Sequence, residues 1–167
     1  MYPEIYNPSV DHRDGRWKRR IHDETFRCLQ CDARVPTLQR ISGVQNRNHC
    51  PYCLCSRHLD YLKAGDRLSA CKAVMQPIGL TVKPGRNKYG SKTHGELMLI
   101  HRCSECGKIS INRLAADDQL DRLLEIYYAS LVVDASIHNQ LTYNGICILQ
   151  REDWILVVDQ LRGNQKI

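Results

Sequence analysis

Three Cys-x-x-Cys pairs, Cys28/Cys31, Cys50/Cys53 and Cys103/Cys106, constrain this chain more than anything else in its 167 residues. Such a turn directs two sulfurs at one ion about 2.3 Å away, while nearby backbone N–H groups hydrogen-bond the thiolates. The first two pairs are 18 residues apart, 32–49, which is the spacing of a zinc site with a hairpin between its halves. Four thiolates complete a tetrahedron and leave no exchangeable position, so this site is expected to be structural. The third pair needs two further ligands. Cys71 is the nearest unclaimed cysteine, and His58 is taken as the fourth ligand, with Cys55, His94 and His101 as rivals. Two Zn2+ ions are therefore expected. His49, directly before Cys50, should point away from the ion and hydrogen-bond backbone or a group behind it. Cys147 lies in an apolar run and is expected to be a small buried hydrophobe.

The rest of the composition agrees with metal rather than disulfides. Nine cysteines is an odd number, and the first twenty residues, MYPEIYNPSVDHRDGRWKRR, are polar and basic with no apolar leader. No apolar run approaches the roughly 20 residues of a membrane span. A cytoplasmic, reducing setting is the expectation, where such pairs hold metal. Redox catalysis would need a βαβ context around a Cys-x-x-Cys pair, and none surrounds these. The net charge of +6 is unevenly spread. From Cys28 to Arg113 there are 14 Lys/Arg against 5 Asp/Glu, and from Leu114 onwards 4 against 8. The basic charge belongs to the cysteine-rich part, which points to a polyanion as its partner.

Along the chain, residues 1–24 read as an irregular arm ending in a basic WKRR stretch. Residues 25–116 read as the two-site zinc module, and 117–167 as a helical or mixed segment packing on it. The fold class expected is α+β: a small zinc-stapled β-hairpin (zinc-ribbon-like) module followed by a C-terminal helical segment. Candidate strands are Arg34–Ile41, Ile78–Val82 and Leu97–His101. Lys83 to Gly95 is Gly- and Lys-rich and reads as an exposed loop. Its GRNKYGSKT is no phosphate-binding loop, because Ser91 displaces Lys92 from its place after the second glycine. In DDQLDRLLEIYYASLVVD, Leu120, Leu123, Leu124, Tyr127 and Leu131 share a helical face, with Asp117 or Asp118 as N-cap. Asn144-Gly145 marks a turn, Ile146–Leu149 a short strand, and Trp154, Val157, Val158 and Leu161 a closing helix, with a strand over EDWILVVDQL as the alternative. The last third is expected to supply much of the apolar core.

The segments FRCLQC, RNHCPYCLCSRHLD, GDRLSACKAVMQP, GELMLIHRCSECG and NRLAADD occur in an order similar to that of the RNHCP family, over about Phe26 to Asp118. The resemblance implies a paired zinc-ribbon-like module of unassigned activity and supports Cys71 and His58 as part of its framework. One departure is Lys72-Ala73 after Cys71, where a glycine is expected for the turn.

Charge and metal together point to a nucleic-acid-binding module. Its two zinc clips would hold Arg47, Arg57, Arg67, Lys83, Arg86, Lys88, Lys92 and Arg102 against phosphates. RNA is preferred to DNA because the basic part has no groove-reading helix, and zinc ribbons recur in the translation machinery, so association with ribosomes is a natural setting. Two other classes compete. A protein-interaction adaptor would dock through the apolar C-terminal segment. A nucleic-acid hydrolase would draw on His49, His58, Asp60, Asp66 and Arg67, or on Asn112, Arg113, Asp117 and Asp118. Catalytic zinc, however, needs three protein ligands and a water, and cysteine is abundant enough here to fill both tetrahedra.

Overall fold

The computed structural model describes residues 25–83 and 95–162. The arm with its WKRR stretch and the basic loop carrying Arg86, Lys88 and Lys92 lie outside them. Each Cys-x-x-Cys pair is the turn between two antiparallel segments. β1 (Thr25–Arg27) and β2 (Arg34–Pro36) flank the first pair. An isolated bridge between His49 and Ser56 closes around the second. β5 (Glu96–Cys103) and β6 (Ile109–Arg113) are joined through the third. The residue after each pair adopts the left-handed conformation that a knuckle requires: Asp32 at φ 60°, Leu54 at 57° and Gly107 at 71°. Lys72 does the same at φ 54°, so the turn after Cys71 forms without a glycine.

β3 (Ser56–Arg57), β4 (Val74–Lys83), β5 and β6 make a four-stranded antiparallel sheet in that order. β3 pairs only with Val74 and Met75, so most of β4 has an open edge. Pro77, which lacks an N–H, sits at that edge beside a register shift between Pro77 and Gly79. The expected strand Arg34–Ile41 stops at Pro36 and gives way to the four-residue helix α1 (Gln39–Ser42). Ile146–Leu149 is not a strand either. It runs along the open edge of β4, where the Leu149 N–H donates to the Leu80 carbonyl at 2.9 Å and the Thr81 hydroxyl to the Cys147 carbonyl at 2.7 Å. Cys147 itself is exposed, because this segment turns Ile148 and Leu149 inward instead.

Three further helices follow: α2 (Leu120–Ser130), α3 (Ala135–Tyr143) and α4 (Trp154–Arg162). Alternate β5 residues face opposite ways. Leu97 and Leu99 join Leu54, Leu80, Leu123, Ile126, Tyr127, Leu149 and Val157 in one apolar cluster. Ile100 joins Ile109, Leu141 and Ile148 in a second. The C-terminal chain thus wraps the β4 edge and covers both faces. Gly79 makes the wrap possible, since a Cβ there would lie 2.6 Å from Ile148 Cδ1. The buried stripe of α2 is Leu123, Ile126, Tyr127 and Ser130, whereas Leu120 is exposed. Its N-cap is Gln119, with no side-chain cap. Asp117 and Asp118, expected in that role, are engaged elsewhere.

Candidate metal centres

The knuckles bring eight ligand-type side chains into two groups of four: Cys28, Cys31, Cys50 and Cys53, and His58, Cys71, Cys103 and Cys106. Within each group the ligand atoms lie within 4.8 Å of one another. Sulfur separations are 3.5 Å for Cys28–Cys53 and 3.6 Å for both Cys31–Cys50 and Cys71–Cys103. A disulfide would bring sulfurs to about 2.05 Å. A tetrahedron of Zn–S bonds about 2.3 Å long has edges of about 3.8 Å, close to these values. His58 Nδ1 stands 3.4 Å from Cys106 Sγ, again a tetrahedral edge. Backbone amides supply the second requirement of a knuckle. Those of Ala33, Tyr52, Cys53, Cys55, Ala73, Glu105 and Cys106 hydrogen-bond ligand sulfurs. Burial pushes the Cys50 thiol up to about 11, so without an ion that sulfur stays protonated. Burial also acts on Cys103, but there the amides of Cys106 and Glu105 prevail and its pKa falls. These donor sets fit zinc, and each group is able to hold one ion. An ion there supplies a rigid cross-link between segments and, with four protein donors, has no open position.

The rival ligands are spoken for. Cys55 is buried and its thiol donates to Gln76 Oε1 at 3.2 Å; Gln76 in turn donates to Gln30 Oε1 at 3.0 Å, tying the first knuckle to β4. His101 is fully buried and held through both nitrogens, with Nε2 2.7 Å from the Leu54 carbonyl and Nδ1 2.9 Å from Asn112 Nδ2. Burial keeps it neutral, lowering its pKa to about 3. His94 lies outside the described residues.

His49 does point away from the first group. Its Nε2 is 2.9 Å from both oxygens of Asp118. Asp118 and Asp117 also take the Arg47 guanidinium, at 3.4 and 2.7 Å, and the Arg47 side chain has no exposed surface. Arg47 is therefore a correction to the expected phosphate-binding set, because its charge is consumed in a buried pair. A double acid ahead of an apolar periodic run reads as a helix cap, and nothing local in the sequence reveals that it reaches back 70 residues to an arginine.

Of the other expected phosphate contacts, Arg57, Arg67 and Lys83 are exposed. Arg102 is half-buried and bonded to Gln140 Oε1 at 3.0 Å. Arg57 and Arg67 share a cavity of about 460 Å3 with Arg27, Phe26 and Gln30. It lies between the first knuckle and the segment leading to the second metal group. No helix among the described residues is long and apolar enough to cross a membrane.

A sequence model of the RNHCP domain matches residues 23–124. No curated protein and no solved structure matches the chain.

Proposed function

The chain belongs to the RNHCP domain family, and from that premise we propose that it is a structural-zinc protein that binds nucleic acid, RNA rather than DNA, in the cytoplasm and in association with ribosomal particles. The observation that carries this reading is the groove beside the first metal group. Arg27, Arg57 and Arg67 line it beside Phe26 and the carboxamide of Gln30. Cations placed around an aromatic ring are the means by which single strands are held. Arg57 directly precedes the ligand His58, so an ion in the second group would fix the direction of this arginine.

Titration of the zinc-loaded chain with structured and single-stranded RNA at several salt concentrations tests the proposal. Affinity should fall steeply with salt, and Arg57→Ala and Arg67→Ala should each lower the log–log slope by about 0.7. Absence of binding at low salt, or binding that ignores salt, would sink it. The adaptor reading keeps one observation of its own. Tyr128 and Trp154 are exposed on adjacent helices with ring centroids 5.5 Å apart, beside exposed Ile155. A tight dimer in concentrated sedimentation runs, lost on Trp154→Ala, would favour that reading.

A further inference from the structure

The second metal group leaves one atom unaccounted for. His58 is 5% exposed, its Nδ1 faces Cys106, and its Nε2 is buried without a well-formed hydrogen bond, although the Asp60 backbone is close to the imidazole. An imidazole that ligates through Nδ1 carries its proton on Nε2, and that N–H ordinarily ends on a carbonyl, carboxylate or water. Beside His58 is a cavity of about 230 Å3 whose lining includes Asn48 and Asn112. It adjoins a second of about 320 Å3 that shares Asn48, Asp60, Ala64, Ile111 and Asn112 with it. The pair runs along the open edge of β6, bounded by the 44–49 and 60–65 segments.

The lining offers a particular chemistry. A carbonyl only accepts, so the Leu54 carbonyl fixes the His101 proton on Nε2 and leaves Nδ1 as an acceptor. The Asn112 amide must then donate to it through Nδ2. Asn112 Oδ1 is thereby oriented, and it takes no hydrogen bond from another described residue. Asn48 is half-buried, and its carboxamide makes no hydrogen bond to another described residue either. Met98 and Ile111 supply apolar wall, and the exposed cations Lys83 and Arg113 stand at the rim, Arg113 in an exposed pair with Glu96 at 3.0 Å. Arg57, Lys63, Lys108 and Asp60 also line the smaller cavity, but Lys108 is committed to the Asp60 and Tyr61 carbonyls and Arg57 to the Lys72 carbonyl. The oriented carboxamides and apolar surface beside them suit a flat heterocycle with hydrogen-bonding edges.

We propose that this cavity receives a nucleobase, with His58 Nε2–H and the Asn48 and Asn112 carboxamides reading its edge and Arg113 and Lys83 meeting the adjoining phosphate. The inference extends the nucleic-acid reading above by naming what is recognised and where. The same chemistry is offered by an unpaired base in a strand and by a free nucleotide.

The test uses the zinc-loaded full chain with three probes: the four ribonucleoside monophosphates, a single-stranded oligoribonucleotide, and an abasic ribose-phosphate oligomer of equal length. The expected result is that base-bearing probes bind and shift the His58 Nε2–H resonance, and that Asn48→Ala and Asn112→Ala each weaken them about tenfold. Zinc content and abasic binding should stay as they were. If base-bearing and abasic oligomers bind alike and the His58 resonance does not move, the cavity holds water alone; the inference falls while RNA binding stands. If monophosphates bind but neither oligomer does, the cavity is a nucleotide site and RNA binding falls. If no probe binds, both fall.

Discussion

Arg47 carries a positive charge on a side chain with no exposed surface, and it is held there by two acids just ahead of α2. Asp118 is as buried as the arginine and also accepts from His49. Removing one partner of such a network strands the other charges without solvation. Arg47→Met should therefore cost about 3–5 kcal/mol, read as a lower urea midpoint for the zinc-loaded protein. Asp117 keeps 28% of its side chain exposed, so Asp117→Asn should cost only about 1 kcal/mol or less. Lys72 illustrates the same point about single positions. It holds a left-handed backbone that a glycine would adopt without strain, and its ammonium donates to the Arg67 carbonyl at 3.1 Å.

The elements legible in the sequence were those whose signal is local. Knuckle spacing identified the first ligand group and the Cys103/Cys106 half of the second, because the two ligands of each pair are set by four consecutive residues. Cys71 and His58 lie outside any such pair, and His58 is one choice among rivals. β4 and β5 announced themselves as apolar runs and α2 by periodicity, whereas the α4 segment reads as helix or strand. β6, ISINR, is short and half-buried and lies at the sheet edge, and α3, ASIHNQLTY, is largely polar, so neither stands out from loop. The Ile146–Leu149 run has strand composition, yet its role is to cover an edge without extending the sheet. The loop between Asp60 and Leu68 is likewise defined by side chains, with Asp60 accepting from the Gly65 and Arg67 amides and Asp66 from four others. The Asp66 carboxylate accepts from the amides of Tyr61, Leu62, Lys63 and Leu68. These bonds, that of Lys63 foremost, hold its pKa well below the ordinary carboxylate range. A depressed acid stabilises above its unfolded pKa of about 4, and that contribution disappears as pH falls through this value towards the folded one. Protection of the Tyr61–Lys63 amides, relative to their intrinsic exchange at each pH, should drop over that fall. Asp66→Asn should produce the same loss of protection at neutral pH with zinc content unchanged, which separates the loop from acid release of metal.

For the molecule as a whole, apolar packing and metal divide the work differently from the sequence expectation. Leu54, Leu80, Leu97, Leu99 and Ile100 all precede residue 117, so the middle of the chain supplies as much of the core as the helices do. Among the described residues, the first metal group has only Val35, Phe26 and Ala33 packed with its own cysteines. Chelation should accordingly release residues 25–36 to fast amide exchange while β4, β5 and α2 stay protected. Exchange mapped by mass spectrometry before and after metal removal checks this; loss of protection across β4 and β5 together with the first group would contradict it.

The two ligand groups also differ in how far apart their members lie on the chain. The first is gathered from residues 28–53, a contiguous stretch, whereas the second spans 58–106 and encloses the whole β4–β5 hairpin. A nascent polypeptide can load the earlier clip soon after Cys53 emerges, but the later one must wait until that hairpin has zipped. In the mature protein the same geometry should set two clocks for ion turnover, the early clip opening with the fraying of one short hairpin and the late one tied to segments at both ends of the β4–β5 hairpin.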